Sequence, residues 1–475
     1  MGGEQGVSGV CCRVTTWHSF QGGARSTHQR EETCRDGKNT PDNNPRQCTI
    51  HRGMGRGPRG VAAMIVLFMT LGNVRFDHPN LADTLAFCIK ESRAQEVFLF
   101  GSGQNREIVP LISQAYTRQT GRDMPYTKFV QLDHIDDIHH CFSDIRVEYE
   151  KLVKEDPDVD IILNNNSATK SMTSAMMSLA LLTHRTILFI DGTRNPDGAI
   201  VPGTERIVSQ TLYPIYDEMM VERAIQYFNH NQFSYAIQEV STVCLHPQKE
   251  NYRQLFRAYD LWDRFEHSKA HDLLSPVTYP GRNKEQFINN QRFLQILLRS
   301  KNKTLRYLCV LVDLINNAQR RYDDGRYDDA VARLYRAFEL IAQVLLLSKG
   351  LDDIENKISF TQLKPLVTNR DRLNSYQDYL EGGNVLVGCG KKYQILTDIG
   401  IMNAEQWHQK MLKLLSRRNE SILAHGLTPV DRETAGLFLE KINTFVKNEL
   451  KEAILSSDPD IDELFRISRF VQIET

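Results

Sequence analysis

Residues 160–176, DIILNNNSATKSMTSAM, place a short apolar strand directly in front of a helix. The apolar run ends at Leu163, small polar residues follow, and a helix begins around Thr169-Lys170. Free N–H groups and the dipole at a helix start favour a phosphate, and Lys170 adds a positive charge. The small residues would let a ligand approach the backbone. The segment therefore predicts either a phosphate site or an Asn-rich turn that only caps the helix.

The same order of strand and helix repeats over residues 64–205. Apolar strand patterns alternate with helical patterns, and the strand patterns are IVLFM, EVFLF, VDIILN and TILFID. Short apolar strands that alternate with helices are typical of a mostly parallel, Rossmann-like α/β sheet. In such sheets, ligands bind at the carboxyl ends of the strands, near the point where the strand order reverses.

A second strand end carries the segment LFGSGQNRE at residues 99–107. Gly101 and Gly103 fit the first two positions of the dinucleotide fingerprint Gly-x-Gly-x-x-Gly, but Arg106 occupies the third. The third glycine is needed for close packing of the helix, so we do not expect an NAD or FAD enzyme. A bent strand-to-helix turn without a ligand is the other interpretation.

Segment 164–172 resembles the signature of CARF domains, the nucleotide-sensing domains of CRISPR ancillary proteins. That signature runs Asp-x-Thr-Gly-Gly-Thr-Lys-x-Met before an Ala-Leu-rich helix, and Thr169, Lys170 and Met172 match it. Asn stands for the Asp and the first Thr, and Ser-Ala stands for the two glycines. The turn TLGN at 70–73 is similar to the family's first ligand-contacting turn. The resemblance implies a cyclic oligoadenylate site formed by Gly72, Asn73, Gly101, Ser102, Asn166, Ser167, Ala168, Thr169 and Lys170.

From about residue 206 to residue 475 the sequence shows helical patterns and no convincing strand, which predicts an all-α C-terminal part. One helix ends at Gly350, and its apolar stripe consists of Ala330, Val331, Leu334, Phe338, Ile341, Ala342 and Leu345. A later helix is expected to start at Thr428-Pro429, and its apolar positions are Leu437, Ile442, Phe445 and Val446.

The segment SRRNESILAHG, residues 416–426, reads as one amphipathic helix that carries Arg418 and His425 and ends at Gly426. Seven residues at about 100° each return to the same face with a rise of about 10.5 Å, so the two would lie two turns apart. One helix could not easily bring both to a single phosphate, whereas two copies across a two-fold axis could. Arg binds phosphate through a planar fork and His titrates near neutral pH, which suits metal-independent RNA cleavage by the 2′-hydroxyl. A solvated arginine and an ordinary helix-end histidine are the alternative.

This segment resembles the Arg-Asn-x-x-x-x-x-His element of HEPN ribonuclease domains. GRYDDAVARLYRAFELIAQ at 325–343 is similar to the first core helix of the HEPN domain in CARF–HEPN effectors, where Arg336 and Glu339 are expected to pair. Taken over residues 64–475, the resemblance implies a homodimeric type III CRISPR ancillary ribonuclease that cyclic oligoadenylate activates. It assigns the cleavage of single-stranded RNA to Arg418, Asn419 and His425.

Composition limits the remaining possibilities. The chain has 475 residues, which predicts two or three domains, and a formal net charge of −1, so an RNA site must be a local basic patch. The four N-terminal cysteines and nearby histidines fit no common zinc-finger spacing, so no metal is expected; they are Cys11, Cys12, Cys34, Cys48, His18, His28 and His51. The apolar run at 61–72, about 12 residues, is too short to cross a bilayer, which favours a cytoplasmic protein.

We therefore predict an α/β Rossmann-like CARF domain followed by an all-α HEPN domain. The expected ranges are a disordered tail or mis-called start at 1–63, with Met64 as the true start, the sensing domain at 64–205, a helical connector at 206–315 and the HEPN domain at 316–475. A non-catalytic nucleotide sensor, whose HEPN domain only dimerises or binds RNA, is the alternative function. The ring size of the activator, the base preference and any self-cleavage of the ligand stay open.

Overall fold

The computed structural model describes residues 63–72, 80–196, 200–201, 203–354, 356–401, 403–451, 454 and 460–474. From Ala63 onward the chain forms one compact unit. The predicted tail, with its cysteines and histidines, and the predicted ligand residue Asn73 lie outside the described residues.

The N-terminal part is built on a six-stranded sheet with the order β3-β2-β1-β4-β5-β6. Strands β1 to β5 are parallel, and β6 runs antiparallel to β5. The strands are β1 Ile65–Leu71, β2 Glu96–Gly101, β3 Tyr126–Gln131, β4 Asp160–Ser167, β5 Ile187–Asp191 and β6 Arg206–Gln210. This arrangement confirms the predicted Rossmann-like class. The strand order reverses between β1 and β4, so the carboxyl ends of these two strands border the crevice where a ligand is expected.

Helices cover both faces of this sheet because successive side chains of a strand point to opposite faces. The helices are α1 Asn80–Ser92, α2 Val109–Thr120, α3 Ile138–Glu155 and α4 Lys170–Thr183. Phe68 of β1 belongs to a buried cluster with Met172 of α4, whereas the adjacent Leu67 belongs to a second cluster with Ile89 of α1. The near-continuous apolar run of β1 is thus explained by burial on both faces.

The rest of the chain is mainly helical, as predicted, and shares one large hydrophobic core. Its first helices are α5 Tyr213–Asn229, α6 Phe233–Thr242, α7 Lys249–Asp263, α8 His267–Leu274 and α9 Lys284–Arg299. They are followed by α10 Lys303–Asp323, α11 Tyr327–Ser348, α12 Phe360–Leu363, α13 Arg370–Ser375, α14 Cys389–Asp398, α15 Ala404–Asn419, α16 Arg432–Phe445 and α17 Ile461–Ile467. A π-helical turn, Val446–Leu450, continues α16.

The predicted apolar stripe of α11 is confirmed, since all seven of its residues are buried. The helix predicted from Thr428-Pro429 also exists, but it begins later, with Asp431 as its N-cap accepting from the Thr434 N–H. The prediction that Leu437 of this helix lies in the core is wrong, because that side chain is 44% exposed.

The expectation that no strand follows residue 206 is wrong, because five short strands lie in this part of the described chain. Strand β6 completes the first sheet, and a second sheet with the order β7-β8-β10-β9 lies between α11 and α14. Its strands are β7 Asp353–Ile354, β8 Lys357–Ser359, β9 Leu380–Glu381 and β10 Asn384–Leu386. Strands of two or three residues are too short to show a period-2 pattern in the sequence.

One predicted domain boundary divides the first sheet, and another falls inside a helix. Because β6 pairs with β5, the sheet domain continues past residue 205 to at least Gln210. The boundary at residue 315 falls in the middle of α10, which spans Lys303–Asp323 without a break.

A buried ionic cluster joins α7 to α10. Asp263 accepts hydrogen bonds from Arg320 Nε at 3.0 Å and from Arg321, and all three residues are less than 9% exposed. The Asn317 side chain donates to the same carboxylate and accepts from Arg333 Nε of α11 at 2.5 Å. A buried charge without a partner is costly, so this cluster fixes the relative placement of the three helices.

The C-terminal segment is held by a buried asparagine. Asn290 of α9 donates to the carbonyl oxygens of Ile467 and Arg469, at 2.8 and 2.7 Å. Its side-chain oxygen accepts from the Val471 N–H at 3.0 Å and from the Tyr259 hydroxyl at 2.7 Å. One side chain thereby satisfies both the terminal backbone and a buried phenol.

Candidate functional site

The first candidate site lies where β1 and β4 end side by side. The Gly72 N–H donates to the Ser167 carbonyl at 2.7 Å, which brings the last residues of both strands into direct contact. A Cβ on Gly72 would lie 2.8 Å from the backbone of Ala168. Only glycine allows this approach, so the backbone geometry requires glycine at position 72.

Asn105 joins the turn after β2 to the same place. Its side-chain nitrogen donates to the Gly72 carbonyl at 2.6 Å, and its oxygen accepts from the N–H and hydroxyl of Ser102, each at 2.8 Å. Gly101 ends β2 directly before this turn and packs against Asn105. The segment that failed the dinucleotide fingerprint therefore forms a bent turn whose asparagine connects two strand ends.

The asparagine run of β4 contains a bulge. Met69 pairs with Asn164 and Leu71 pairs with Ser167, so β4 has one more residue than β1 over this stretch. Asn164 and Asn166 donate to carbonyl oxygens of β5, at 2.9 and 3.0 Å. Asn165 lies between them, and its side-chain nitrogen is buried without a hydrogen-bond partner among the described residues. An unpaired buried donor is costly, which makes it a candidate ligand contact.

Helix α4 starts immediately after this bulge. Thr169 is its N-cap: the hydroxyl accepts from the Met172 N–H at 3.2 Å and donates to the Ile135 carbonyl at 2.6 Å. Lys170 is exposed and has no carboxylate within salt-bridge distance among the described residues. The first two N–H groups of the helix, from Lys170 and Ser171, have no intrahelical acceptor, so this terminus combines free donors with a free cation.

The structure brings together the described residues that the sequence analysis assigned to the ligand. Those at the ends of β1, β2 and β4 share one edge of the sheet, namely Gly72, Gly101, Ser102, Asn166, Ser167, Ala168, Thr169 and Lys170. Asn105 and Asn165, which also lie at this edge, are not among the ligand residues predicted from the sequence. Asn165 could have been found from the sequence, because it lies inside an asparagine run at a strand end. Asn105 could not, because its hydrogen-bond partner Gly72 is 33 residues away.

The second candidate site lies at the end of α15, and there the predicted geometry is wrong. The helix ends at Asn419, so Arg418 and His425 do not share a helix face, and Gly426 is not a helix cap. The chain turns back after the helix: Ser421 N–H donates to the Arg418 carbonyl at 3.0 Å, and His425 N–H donates to the Asn419 carbonyl at 3.1 Å. Asn and Ser are weak helix formers, and these turn contacts satisfy the carbonyls at the helix end.

The turn at residues 420–426 is closed very tightly. Gly426 N–H donates to the Ser421 carbonyl at 3.1 Å, and a Cβ on Gly426 would lie 1.8 Å from the Glu420 carbonyl oxygen. Residue 426 must therefore be glycine. The turn holds the backbone of exposed His425 next to Asn419, one residue after Arg418, within a single chain.

Arg418 is held by an aromatic ring. Its guanidinium carbon lies 4.2 Å from the centroid of Tyr335 on α11, and one nitrogen donates to the Asn419 side-chain oxygen at 3.1 Å. No described carboxylate lies within salt-bridge distance of Arg418, whereas the neighbouring Arg417 is 3.8 Å from Glu420. The cation of Arg418 is thus placed but not neutralised, which suits an anionic ligand.

The predicted ion pair on α11 is confirmed, since charged atoms of Arg336 and Glu339 are 3.4 Å apart.

Among the described residues, no group of three or more His, Cys, Asp or Glu side chains is arranged to hold a metal ion. No helix within the described ranges has the length and apolar character needed to cross a membrane.

The fold and the two candidate sites define a class: a Rossmann-like domain with polar strand ends at its switch point, joined to a helical domain that carries Arg418 and the exposed His425 at the end of one helix. Two family models match the helical part, the Csm6 6H domain over residues 216–308 and the Csm6 HEPN domain over residues 299–449. The comparison with curated proteins gives no match.

Among solved structures, Enterococcus italicus Csm6 bound to cyclic hexa-2′-fluoro-hexa-dAMP has a similar fold. The TM-score is 0.60 at 14% sequence identity, and the match covers 86% of this chain and 99% of that chain. The two family models together match residues 216–449, so the helical part carries the 6H and HEPN domains of Csm6, and the HEPN domain makes it an endoribonuclease of the HEPN type. Together with the similar fold of the solved Csm6, these matches support the resemblance to the CARF–HEPN ancillary ribonucleases of type III CRISPR systems.

Proposed function

We propose that this protein is a metal-independent endoribonuclease of antiviral defence that cleaves single-stranded RNA when a cyclic oligoadenylate binds its sheet domain. The observation that carries the proposal is the turn after α15. In this turn the backbone of His425 bonds to Asn419, the residue after Arg418, and the Arg418 guanidinium has no described carboxylate partner, which supports a role of both residues at one phosphate. The cytoplasm stays the proposed compartment, because the RNA substrate is found there.

The proposed activator site is the shared edge of β1, β2 and β4. A nucleotide phosphate would accept from the N–H groups at the start of α4 and lie near the exposed Lys170 ammonium. The unpaired amide nitrogen of Asn165 adds a donor at the same edge. The described ligand residues named from the sequence, together with Asn73, remain the proposed contacts.

The proposed chemistry is attack of the 2′-hydroxyl on the adjacent phosphorus. The imidazole of His425 accepts the hydroxyl proton, the 2′ oxygen forms a bond to phosphorus, and the bond to the 5′ oxygen breaks. The leaving 5′ oxygen takes up a proton, and the other product ends in a 2′,3′-cyclic phosphate. Arg418 stabilises the charge on the phosphate oxygens, and Asn419, which already accepts from Arg418, orients the guanidinium.

We propose a homodimer that places the catalytic turns of two copies in one cleft. Large apolar side chains flank this turn in exposed positions, with Ile422 56%, Leu423 54% and Leu427 87% exposed. Exposed apolar groups of this kind mark an interaction surface. Within one chain, the turn bonds the backbone of His425 to the residue after Arg418, so each chain would contribute both residues and the dimer would complete the cleft around them.

A groove between α15 and α16 supports a two-fold contact. Its volume is about 510 Å³, and its charged lining residues are Lys413, Arg417, Glu420, Asp431 and Glu433. Three acidic groups against two basic ones disfavour RNA there. Because the patch carries both signs, a second copy across a two-fold axis can oppose acidic groups with basic ones, which supports a homodimer.

The test is RNA cleavage by the full chain in EDTA, with and without cyclic tetra-adenylate and cyclic hexa-adenylate. We expect one ring to activate cleavage and the products to end in 2′,3′-cyclic phosphate. His425→Ala and Arg418→Ala should each lower kcat by at least about 100-fold. The matched control is Lys410→Ala, which removes an exposed cation of the same helix that does not line the groove and should retain most of the activity. Full activity in His425→Ala, or a strict requirement for a divalent metal, would contradict the proposal.

A further inference from the structure

Tyr335 is a residue without an assigned role whose ring lies directly under the proposed catalytic cation. It sits on α11, far from α15 in sequence, and its ring centroid is 4.2 Å from the guanidinium carbon of Arg418. A guanidinium at this distance from an aromatic face is attracted by the electrons of the ring without losing its charge. The contact joins the HEPN core helix to the last turn of the helix that precedes the catalytic turn.

The arginines of α11 itself are held differently. Arg333 lies 3.3 Å from Asp329, and Arg336 lies 3.4 Å from Glu339. Each of these cations is neutralised by a carboxylate on its own helix. A carboxylate against Arg418 would compete with an RNA phosphate for the same donors, whereas an aromatic ring supplies placement without competition.

The ring of Tyr335 is itself well fixed. It is partly buried and packs against the main core of the helical domain. Burial, followed by the negative charge of Glu339, raises the pKa of Tyr335 above its ordinary value. The phenol therefore stays neutral at the pH where RNA is cleaved, and it adds no negative charge that would bind the guanidinium.

We propose that Tyr335 is a positioning residue that holds the Arg418 guanidinium beside the His425 turn while leaving its charge available to the scissile phosphate. This inference rests on the proposed function, because it takes Arg418 to contact that phosphate. Tyr335 contacts neither the RNA nor the reacting atoms, so it acts only through Arg418. The part of Tyr335 that matters is its aromatic face, and the hydroxyl is dispensable.

The test compares Tyr335→Phe and Tyr335→Leu in the full chain under saturating activator, with kcat and KM measured on a fluorescent single-stranded RNA. Tyr335→Phe keeps the ring face and should keep kcat within about threefold. Tyr335→Leu loses it and should lower kcat by about 10- to 100-fold, because a misplaced catalytic group costs rate even when it is present. The change in KM should stay below about threefold, since the RNA contacts outside the cleft are intact. Tyr327→Leu is the matched control, another partly buried tyrosine of α11, which packs on Tyr322.

A double substitution separates positioning from a purely structural role. In the Arg418→Ala background, where the residual slow cleavage is followed over hours, Tyr335→Leu should cause no further loss, because the two residues act through one interaction. A further tenfold loss there, or wild-type kcat in Tyr335→Leu, overturns the proposal. If Tyr335→Leu fails to fold, Tyr335→Met, of similar length and without a ring, takes its place with the same expected loss. Wild-type activity of Arg418→Ala itself would instead refute the proposed function, so the two failures are distinguishable.

Discussion

Replacing Gly426 by alanine should abolish most RNA cleavage in a protein that still folds, because the turn that carries His425 has no room for a methyl group. An ideal Cβ at this position lies 1.8 Å from the carbonyl oxygen and 2.3 Å from the carbonyl carbon of Glu420. Non-bonded heavy atoms approach to about 3.5 Å, so the two backbone segments must separate by about 1.5 Å or more.

That displacement moves His425 relative to Arg418 and hence relative to the scissile phosphate of the proposed mechanism. A catalytic group misplaced by about 1 Å costs about 100-fold in rate, so kcat should fall by at least that factor. The turn follows the end of α15 and its apolar side chains are already exposed, so the free energy of unfolding should fall by only about 1–3 kcal/mol. The assay is steady-state cleavage of a fluorescent single-stranded RNA under saturating activator, together with urea denaturation of the same variant.

Gly388→Ala is the matched control for this change. It makes the same substitution in the HEPN domain, at a position with a φ of −79° where a Cβ meets no heavy atom within 4 Å. This control should keep kcat within about twofold. A Gly426→Ala variant with wild-type kcat would refute the reasoning, because it would show that cleavage does not depend on the turn that holds His425 beside Arg418.

Two further substitutions and one labelling experiment test other parts of the structure. Gly72→Ala forces apart the ends of β1 and β4, so the activator concentration for half-maximal cleavage should rise at least about tenfold in a titration with the activating ring. An unchanged titration would remove this edge of the sheet from the proposed site. Asn290→Ala leaves the C-terminal backbone and a buried phenol without partners, so the free energy of unfolding measured by urea denaturation should fall by about 2–4 kcal/mol. The control Asn289→Ala on the same helix should change the free energy of unfolding by less than about 0.5 kcal/mol. Partial burial raises the pKa of Cys389 to about 12, so at pH 8 this thiol should react with iodoacetamide at least about tenfold more slowly than the exposed Cys244, as read by peptide mass spectrometry. Equal labelling of the two thiols would contradict the raised pKa.

The sequence predicted the buried strands and missed the others for a physical reason. Strands β1, β2, β4 and β5 are buried on both faces and have long apolar runs, which made them visible. Strand β3, YTKFVQ, and strand β6, RIVSQ, lie at the two edges of the sheet and contain exposed polar residues. An edge strand has less apolar surface to bury, so its pattern is weaker.

The helix end at Asn419 was missed because the apolar spacing continues beyond it. Ile422 and Leu423 extend the amphipathic pattern of α15 in the sequence, yet both are more than half exposed in the turn. In the proposed homodimer these side chains would be covered by the second copy, and the pattern of a single sequence does not distinguish such a surface from a helix core. The residue types of the candidate site were therefore predictable, whereas their geometry depends on contacts between Tyr335, Arg418 and the turn.

The central claim is that binding of a nucleotide at the sheet edge switches on cleavage by Arg418 and His425 at the other end of the chain. The most direct measurement is the cleavage rate of one single-stranded RNA by the wild-type chain and by His425→Ala, each with and without the activating cyclic oligoadenylate. The account predicts a large increase on adding the ligand to the wild-type chain and almost no cleavage in His425→Ala under either condition, although this variant still binds the ligand. Cleavage that is equally fast without the ligand, or ligand-stimulated cleavage that persists in His425→Ala, would contradict it.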